Sequence, residues 1–178
     1  TERGHQLVRL IEVNAKNAQP RALLSESSNT FIDQWAAFYQ PLSGSENGSE
    51  KGTETAAETG AEKGFIWLSE RDGYAHLYRY DSNGNLKNQI TKGNWRVREV
   101  VAVDEKAQQL WFAASGMDPK QDPYFLHYYR INFDGSGLFA LTEAPAHHQL
   151  SFSADRKYYI DLYSRVDLPN VAELRRSS

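Results

Sequence analysis

Apolar residues in the middle of the chain recur with the short rhythm of strands rather than the longer one of helices. Phe65 to Ser69 is a short apolar run, Ala75 to Asp81 alternates, and Leu86 to Thr91 follows. Between them stand Asp72-Gly73 and Asn83-Gly84. Gly accepts positive φ at little steric cost and Asn or Asp tolerates it, so such pairs suit two-residue hairpins. The stretch reads as three strands in a meander.

The same pattern returns later. His76-Leu77-Tyr78-Arg79-Tyr80, Asn83-Gly84 and Thr91 are matched, 51 residues on, by His127-Tyr128-Tyr129-Arg130-Ile131, Asp134-Gly135 and Thr142. A weaker copy opens the chain at Leu7 to Leu10 and Arg21 to Leu24, and a fourth begins at Phe152. A period of roughly 50 residues with about four short strands per repeat is the signature of propeller blades. The expected fold class is therefore all-β: antiparallel four-stranded blades forming part of a β-propeller. Residues 1–25 would be the outer half of a blade, 29–91 and 97–142 complete blades, and 148–178 a partial one. Within 29–91, Asn29 to Tyr39 reads as the innermost strand.

Residues 41–64 break the rhythm. They hold no aromatic residue, Leu42 is the one large apolar side chain, and Glu46, Glu50, Glu54, Glu58 and Glu62 recur every fourth residue. Like charges one helical turn apart and frequent glycines disfavour a helix, and so little apolar surface cannot offset the entropy of ordering. A disordered, acidic surface insertion is expected. It carries the whole net charge of −3, so the rest of the chain is neutral. In a blade ordered from axis to rim, alternate turns share a face. The insertion should lie with Asn83-Gly84 and Asp134-Gly135, and Arg71, Asp72, Trp95 and the Pro119 loop on the opposite face.

Charge and composition narrow the function. A net charge of −3 lacks the basic footprint a nucleic-acid binder needs. No apolar run approaches the roughly 20 residues of a membrane-spanning helix. Cysteine is absent, which removes disulfides, thiolate nucleophiles and thiolate metal ligands. No targeting signal is visible and the chain begins at Thr1, so it reads as an excerpt of a longer polypeptide. The compartment stays open, with periplasm or secretion favoured over the cytoplasm.

Candidate chemistry is sparse. In Ser69-Glu70-Arg71-Asp72-Gly73 two carboxylates lie close, but at a strand turn Asp72 serves the backbone and Gly73 supplies positive φ. His76 and His127 occupy equivalent repeat positions, where each would bond a neighbouring strand or turn. His147-His148 is a doublet whose rings point to opposite faces of a strand and cannot readily share a metal. No Gly-x-Ser-x-Gly elbow and no phosphate-cradling Gly-Lys-Ser or Gly-Lys-Thr occurs. No catalytic residue, cofactor site or metal site is assigned. Trp35, on the expected inner strand, is the one candidate for lining a substrate channel.

The segments SERDGYAHLYRYD, QITKGNWRV, VDEKAQQLWFAASG and HHQLSFSADRKYYIDLYSRVDLP, in that order, resemble the N-terminal β-propeller region of dipeptidyl peptidase IV-like serine peptidases. The resemblance covers nearly all of residues 65–176 and, more loosely, 1–40. It implies an excerpt of an eight-bladed propeller, working with a C-terminal α/β-hydrolase domain of the same parent chain. That enzyme removes dipeptides from substrates with a penultimate proline. The catalytic Ser, Asp and His belong to the hydrolase domain, so this chain alone is expected to be inactive and to shape and gate peptide access. An aromatic near Trp35 can contact residues beyond the scissile bond in the family. A TolB-like propeller acting as a protein-interaction module is the alternative. Open blade edges imply self-association.

Overall fold

The computed structural model describes residues 4–33, 37–43 and 63–177. Thirteen strands form four antiparallel sheets, and no helix occurs among the described residues. The first sheet pairs β1 (Leu7–Val13) with β2 (Pro20–Ser27). The second runs β3 (Tyr39–Leu42), β4 (Gly64–Ser69), β5 (His76–Asp81) and β6 (Leu86–Gln89), each strand beside the next. The third repeats that order with β7 (Arg96–Asp104), β8 (Gln109–Ser115), β9 (Leu126–Asn132) and β10 (Phe139–Ala140). The fourth holds β11 (His147–Phe152), β12 (Tyr158–Arg165) and β13 (Leu168–Arg176).

Period-two alternation explains how the sheets stack. On β4 and β5, Phe65, Trp67, Tyr78 and Tyr80 point to the first sheet and pack on Leu24, Val8 and Leu10. Their neighbours Ile66 and Leu77 point the other way and join Leu110, Phe112, Tyr129 and Ile131 of the third sheet. On β8 and β9, Trp111, Ala113 and Tyr128 then meet Tyr159 and Leu150 of the fourth. Middle strands buried on both faces carry apolar residues at nearly every position, which is why β4 and β8 read as continuous apolar runs.

The β5–β6 turn is wider than a two-residue hairpin. The Asp81 amide donates to Asn85 O at 3.0 Å, and the Asp81 carboxylate gathers the amides of Asn83 (2.8 Å) and Asn85 (2.9 Å). These bonds hold the Asp81 carboxyl below its ordinary range, the Asn85 side chain contributing most. Gly84, at φ +85°, sits so close to β2 that an added Cβ would lie 1.9 Å from Leu23 O. The turn thus bears directly on the preceding sheet.

The innermost strand of the second sheet differs from expectation. It is Tyr39–Leu42, not Asn29 to Tyr39. Residues 28–32 are held instead as a turn: the Ser28 and Thr30 side chains bond each other, the Thr30 amide donates to Ser28 Oγ, and the Ile32 amide donates to His5 O. Pro41 is tolerated because β3 is an edge strand, and Leu42, assigned above to the insertion, is 6% exposed in the core. Gly64 also belongs to a strand. The expected disorder of the acidic segment falls on residues 44–62, which lie outside the described residues.

Candidate functional site

A charged cluster grows from one residue on β2. Alternation puts Glu26 on the same face of β2 as buried Leu24, against the second sheet. Its carboxylate accepts Trp67 Nε1 at 3.1 Å and the Ser69 hydroxyl, and lies 3.4 Å from Arg71 Nη2. Arg71 in turn donates to Ser69 Oγ at 2.9 Å and to the Tyr80 hydroxyl, and its guanidinium lies 4.4 Å from the centre of the Tyr78 ring. Burial pushes the Tyr80 phenol up although Arg71 pulls it down, and burial with Asp72 pushes Tyr78 up. Both rings stay neutral and pack as apolar bodies with polar tips.

Above this cluster the 28–32 turn and the 70–73 turn enclose a cleft of about 450 Å³. Its walls include Glu26, Ser28, Phe31, Glu70 and Arg71. A smaller apolar recess of about 30 Å³, bounded by Val8, Ile32, Ala37, Trp67 and Leu68, opens beside it and shares Glu26 and Glu70. Glu70 is half-exposed, 3.9 Å from Arg96. The cleft therefore offers a carboxylate, a guanidinium and turn backbone next to an apolar recess, a combination suited to holding polar chain with one apolar side chain. Ser69 Oγ is tied to a carboxylate and a guanidinium, with no imidazole among its partners in the described residues.

Asp72 and Gly73 act on their turn as the spacing suggests. Asp72 accepts the Tyr74 amide at 3.3 Å and Gln89 Nε2 at 2.7 Å, and Gly73 has φ +95°. His76 Nδ1 lies 3.0 Å from Thr91 Oγ1 and Nε2 lies 2.9 Å from Gly93 O. His127 repeats the first contact with Thr142 at 3.2 Å and meets Gln121 Oε1 at 2.9 Å. His147 is exposed while His148 is fully buried, on opposite faces of β11. Trp35 lies outside the described residues. Glu26 was not singled out by sequence reasoning. Its place two residues after Leu24 on an alternating strand is the signal that could have found it.

Comparison with known proteins decides the family. Residues 1–170 match the family described as the dipeptidyl peptidase IV (DPP IV) N-terminal region. The chain belongs to this family. Its four sheets are accordingly blades of a partial β-propeller. Among curated relatives of this DPP IV N-terminal region, dipeptidyl peptidase 4 of Arthroderma otae is 30% identical over 107 residues, which cover 59% of this chain and 13% of that protein. Dipeptidyl peptidase 4 of Trichophyton equinum is 29% identical over 107 residues, with the same coverage. The crystal structure of Porphyromonas gingivalis dipeptidyl peptidase 4 superposes with a TM-score of 0.70 at 25% identity, covering 98% of this chain and 22% of that one. The DPP IV N-terminal region seen here thus spans a small part of the length of its relatives.

Proposed function

We propose that this chain is the non-catalytic propeller part of a DPP IV-like serine peptidase, where it shapes and gates the path of peptides to a C-terminal α/β-hydrolase domain of the parent. The family match over residues 1–170 carries this reading. The cleft between the 28–32 and 70–73 turns supports it: it joins charged groups to an apolar recess as an extended peptide requires. Peptides pass over this face, with Glu70 and Arg71 meeting main-chain polar groups and Trp35 lining the channel.

The test is release of chromophore from a glycyl-prolyl substrate, run on the parent polypeptide and on this chain alone. Activity in the parent only is expected. Activity in neither would move the reading to an interaction propeller of the TolB-like kind, and activity in the chain alone would overturn it. Glu70→Gln in the parent should raise KM for longer peptides and leave the glycyl-prolyl substrate untouched. β1 and β13 each present an unpaired edge among the described residues, so the isolated chain self-associates through them. Light scattering that stays monomeric across a hundredfold concentration range, roughly the span over which weak edge pairing declares itself, would remove that part of the proposal.

A further inference from the structure

The seams between successive sheets are built differently. Where the second sheet meets the third, His76 stands edge-on to Trp95 at 4.8 Å, and the indole continues into Phe112 and Tyr129 by stacking. At the next seam the equivalent imidazole, His127, meets another imidazole, His148, at 4.9 Å. His148 Nε2 donates to Ala144 O at 2.8 Å, and its Nδ1 lies 2.8 Å from Asp161 Oδ1. Both members of that pair are fully buried, and Asp161 Oδ2 has no hydrogen-bond partner among the described residues. An indole at one seam is replaced by a buried imidazole and carboxylate at the other.

The wiring of His127 assigns its proton. Gln121 Nε2 donates to Asp118 Oδ2 at 3.2 Å, so its Oε1 is turned to His127 as an acceptor, and His127 Nδ1 takes the hydroxyl hydrogen of Thr142. Nε2 then carries the ring hydrogen and gives it to Gln121 Oε1. A second ring proton, on Nδ1, would make Thr142 turn its hydroxyl and accept, and would place positive charge beside His148 in a buried seam. We propose that this seam is a proton-operated joint: charging His127, a buried ring set against the ring of His148, loosens the β11–β13 sheet from the blade before it.

The groups facing His127 decide the direction. Burial and then His148, from β11, oppose its charged form, whereas the Thr142 backbone, Asp118, from the connection before β9, and Asp161, from β12, favour it. Tyr163 of β12 packs on His148 and donates to Glu173 of β13, so it brings no further charge to His127 itself. Burial is the largest influence, and His127 is held below the ordinary imidazole value. A base with a lowered folded value leaves the unfolded chain binding more protons. Stability is therefore complete above about pH 6.5 and lost as pH falls from there through the folded value. For one proton, opening of the seam rises by up to about tenfold per pH unit within that window.

The experiment is amide hydrogen exchange on the 178-residue chain at about pH 7.5 and about pH 5.5, corrected for the intrinsic pH dependence of exchange. Opening of β11 and β12 should rise up to about tenfold per unit as pH falls, β4 and β5 should not change, and His127→Gln should abolish the rise. A flat response of β11 and β12, or an undiminished rise in His127→Gln, overturns the proposal. The ring resonances of His127 in the unaltered chain give a second reading that needs no variant to fold. A midpoint below about 6.5 supports the joint, and one at or above it overturns it.

Discussion

The hydroxyl of Thr91 stands between His76 Nδ1, 3.0 Å away, and the Leu77 amide, 2.9 Å away, so one side-chain oxygen satisfies two buried groups of the neighbouring strand. Thr142 does the same for His127 and Tyr128. Thr91→Val keeps the shape and removes the oxygen, leaving a buried ring nitrogen and a buried amide unpaired. It should cost about 1–3 kcal/mol in urea unfolding, and Thr91→Ser much less. Equal midpoints for the two variants would refute the double role.

Gly84 and Gly73 both have positive φ, yet only one of them is crowded. A Cβ at Gly84 would meet Leu23 O at 1.9 Å, and a Cβ at Gly73 meets nothing within 4 Å. Gly73→Ala should therefore lose only the backbone preference, about 1–2 kcal/mol. Gly84→Ala should lose that and also push the turn off β2. Thermal unfolding ranks the two, and a Gly84→Ala no worse than Gly73→Ala would contradict the close approach.

Glu26 joins the first sheet to the second through Trp67, Ser69 and Arg71. Glu26→Ala leaves the Trp67 indole N–H and the Ser69 hydroxyl without their acceptor, at a cost of about 2 kcal/mol for hydrogen bonds to a charged group. Glu26→Gln retains one acceptor and should recover part of it. Exchange of the β1 and β2 amides should accelerate in Glu26→Ala while β9 stays protected; uniform acceleration would mean Glu26 is no local tie.

Tyr129, stacked on Phe112 at 5.5 Å, has its phenol pushed up to about 12, by burial first and then by Asp118. An acid raised in the folded state holds its proton more tightly there than in the unfolded chain. Its contribution is complete below about pH 10 and is lost as pH rises from there through about 12. Phenolate absorbance should thus appear together with loss of strand signal at high pH, and Tyr129→Phe should delay both. Ionisation of every tyrosine with the circular dichroism intact would disprove this.

Much of the architecture was legible beforehand because it is written locally. Turn pairs such as Asp134-Gly135 and the 51-residue spacing of His76 and His127 announced repeated antiparallel sheets. The inner strand of the second sheet was misplaced, since Phe31, Ile32, Phe38 and Tyr39 look strand-like until the Ser28 and Thr30 hydroxyls claim the backbone for a turn. Leu42 was lost to the insertion because its neighbours are polar, and nothing nearby says that it faces Ile66 and Leu77. The cleft was not visible either: Glu26 on β2 and Arg71 in its turn are ordinary charged residues until the two sheets meet.

Strand periodicity and turn chemistry depend on each residue's own sterics and nearest neighbours, so the chain by itself determined sheets, their order and the equivalence of His76 with His127. Contacts across seams depend on how one sheet settles on the next. Trp67 finds Glu26 from 41 residues away, and His127 meets Trp95's successor in space, His148, with no shared motif to mark it. Only stacking decided those meetings, because burying both faces of β4, β5, β8 and β9 leaves side chains such as that of Trp67 to find partners on the sheet that settles against them.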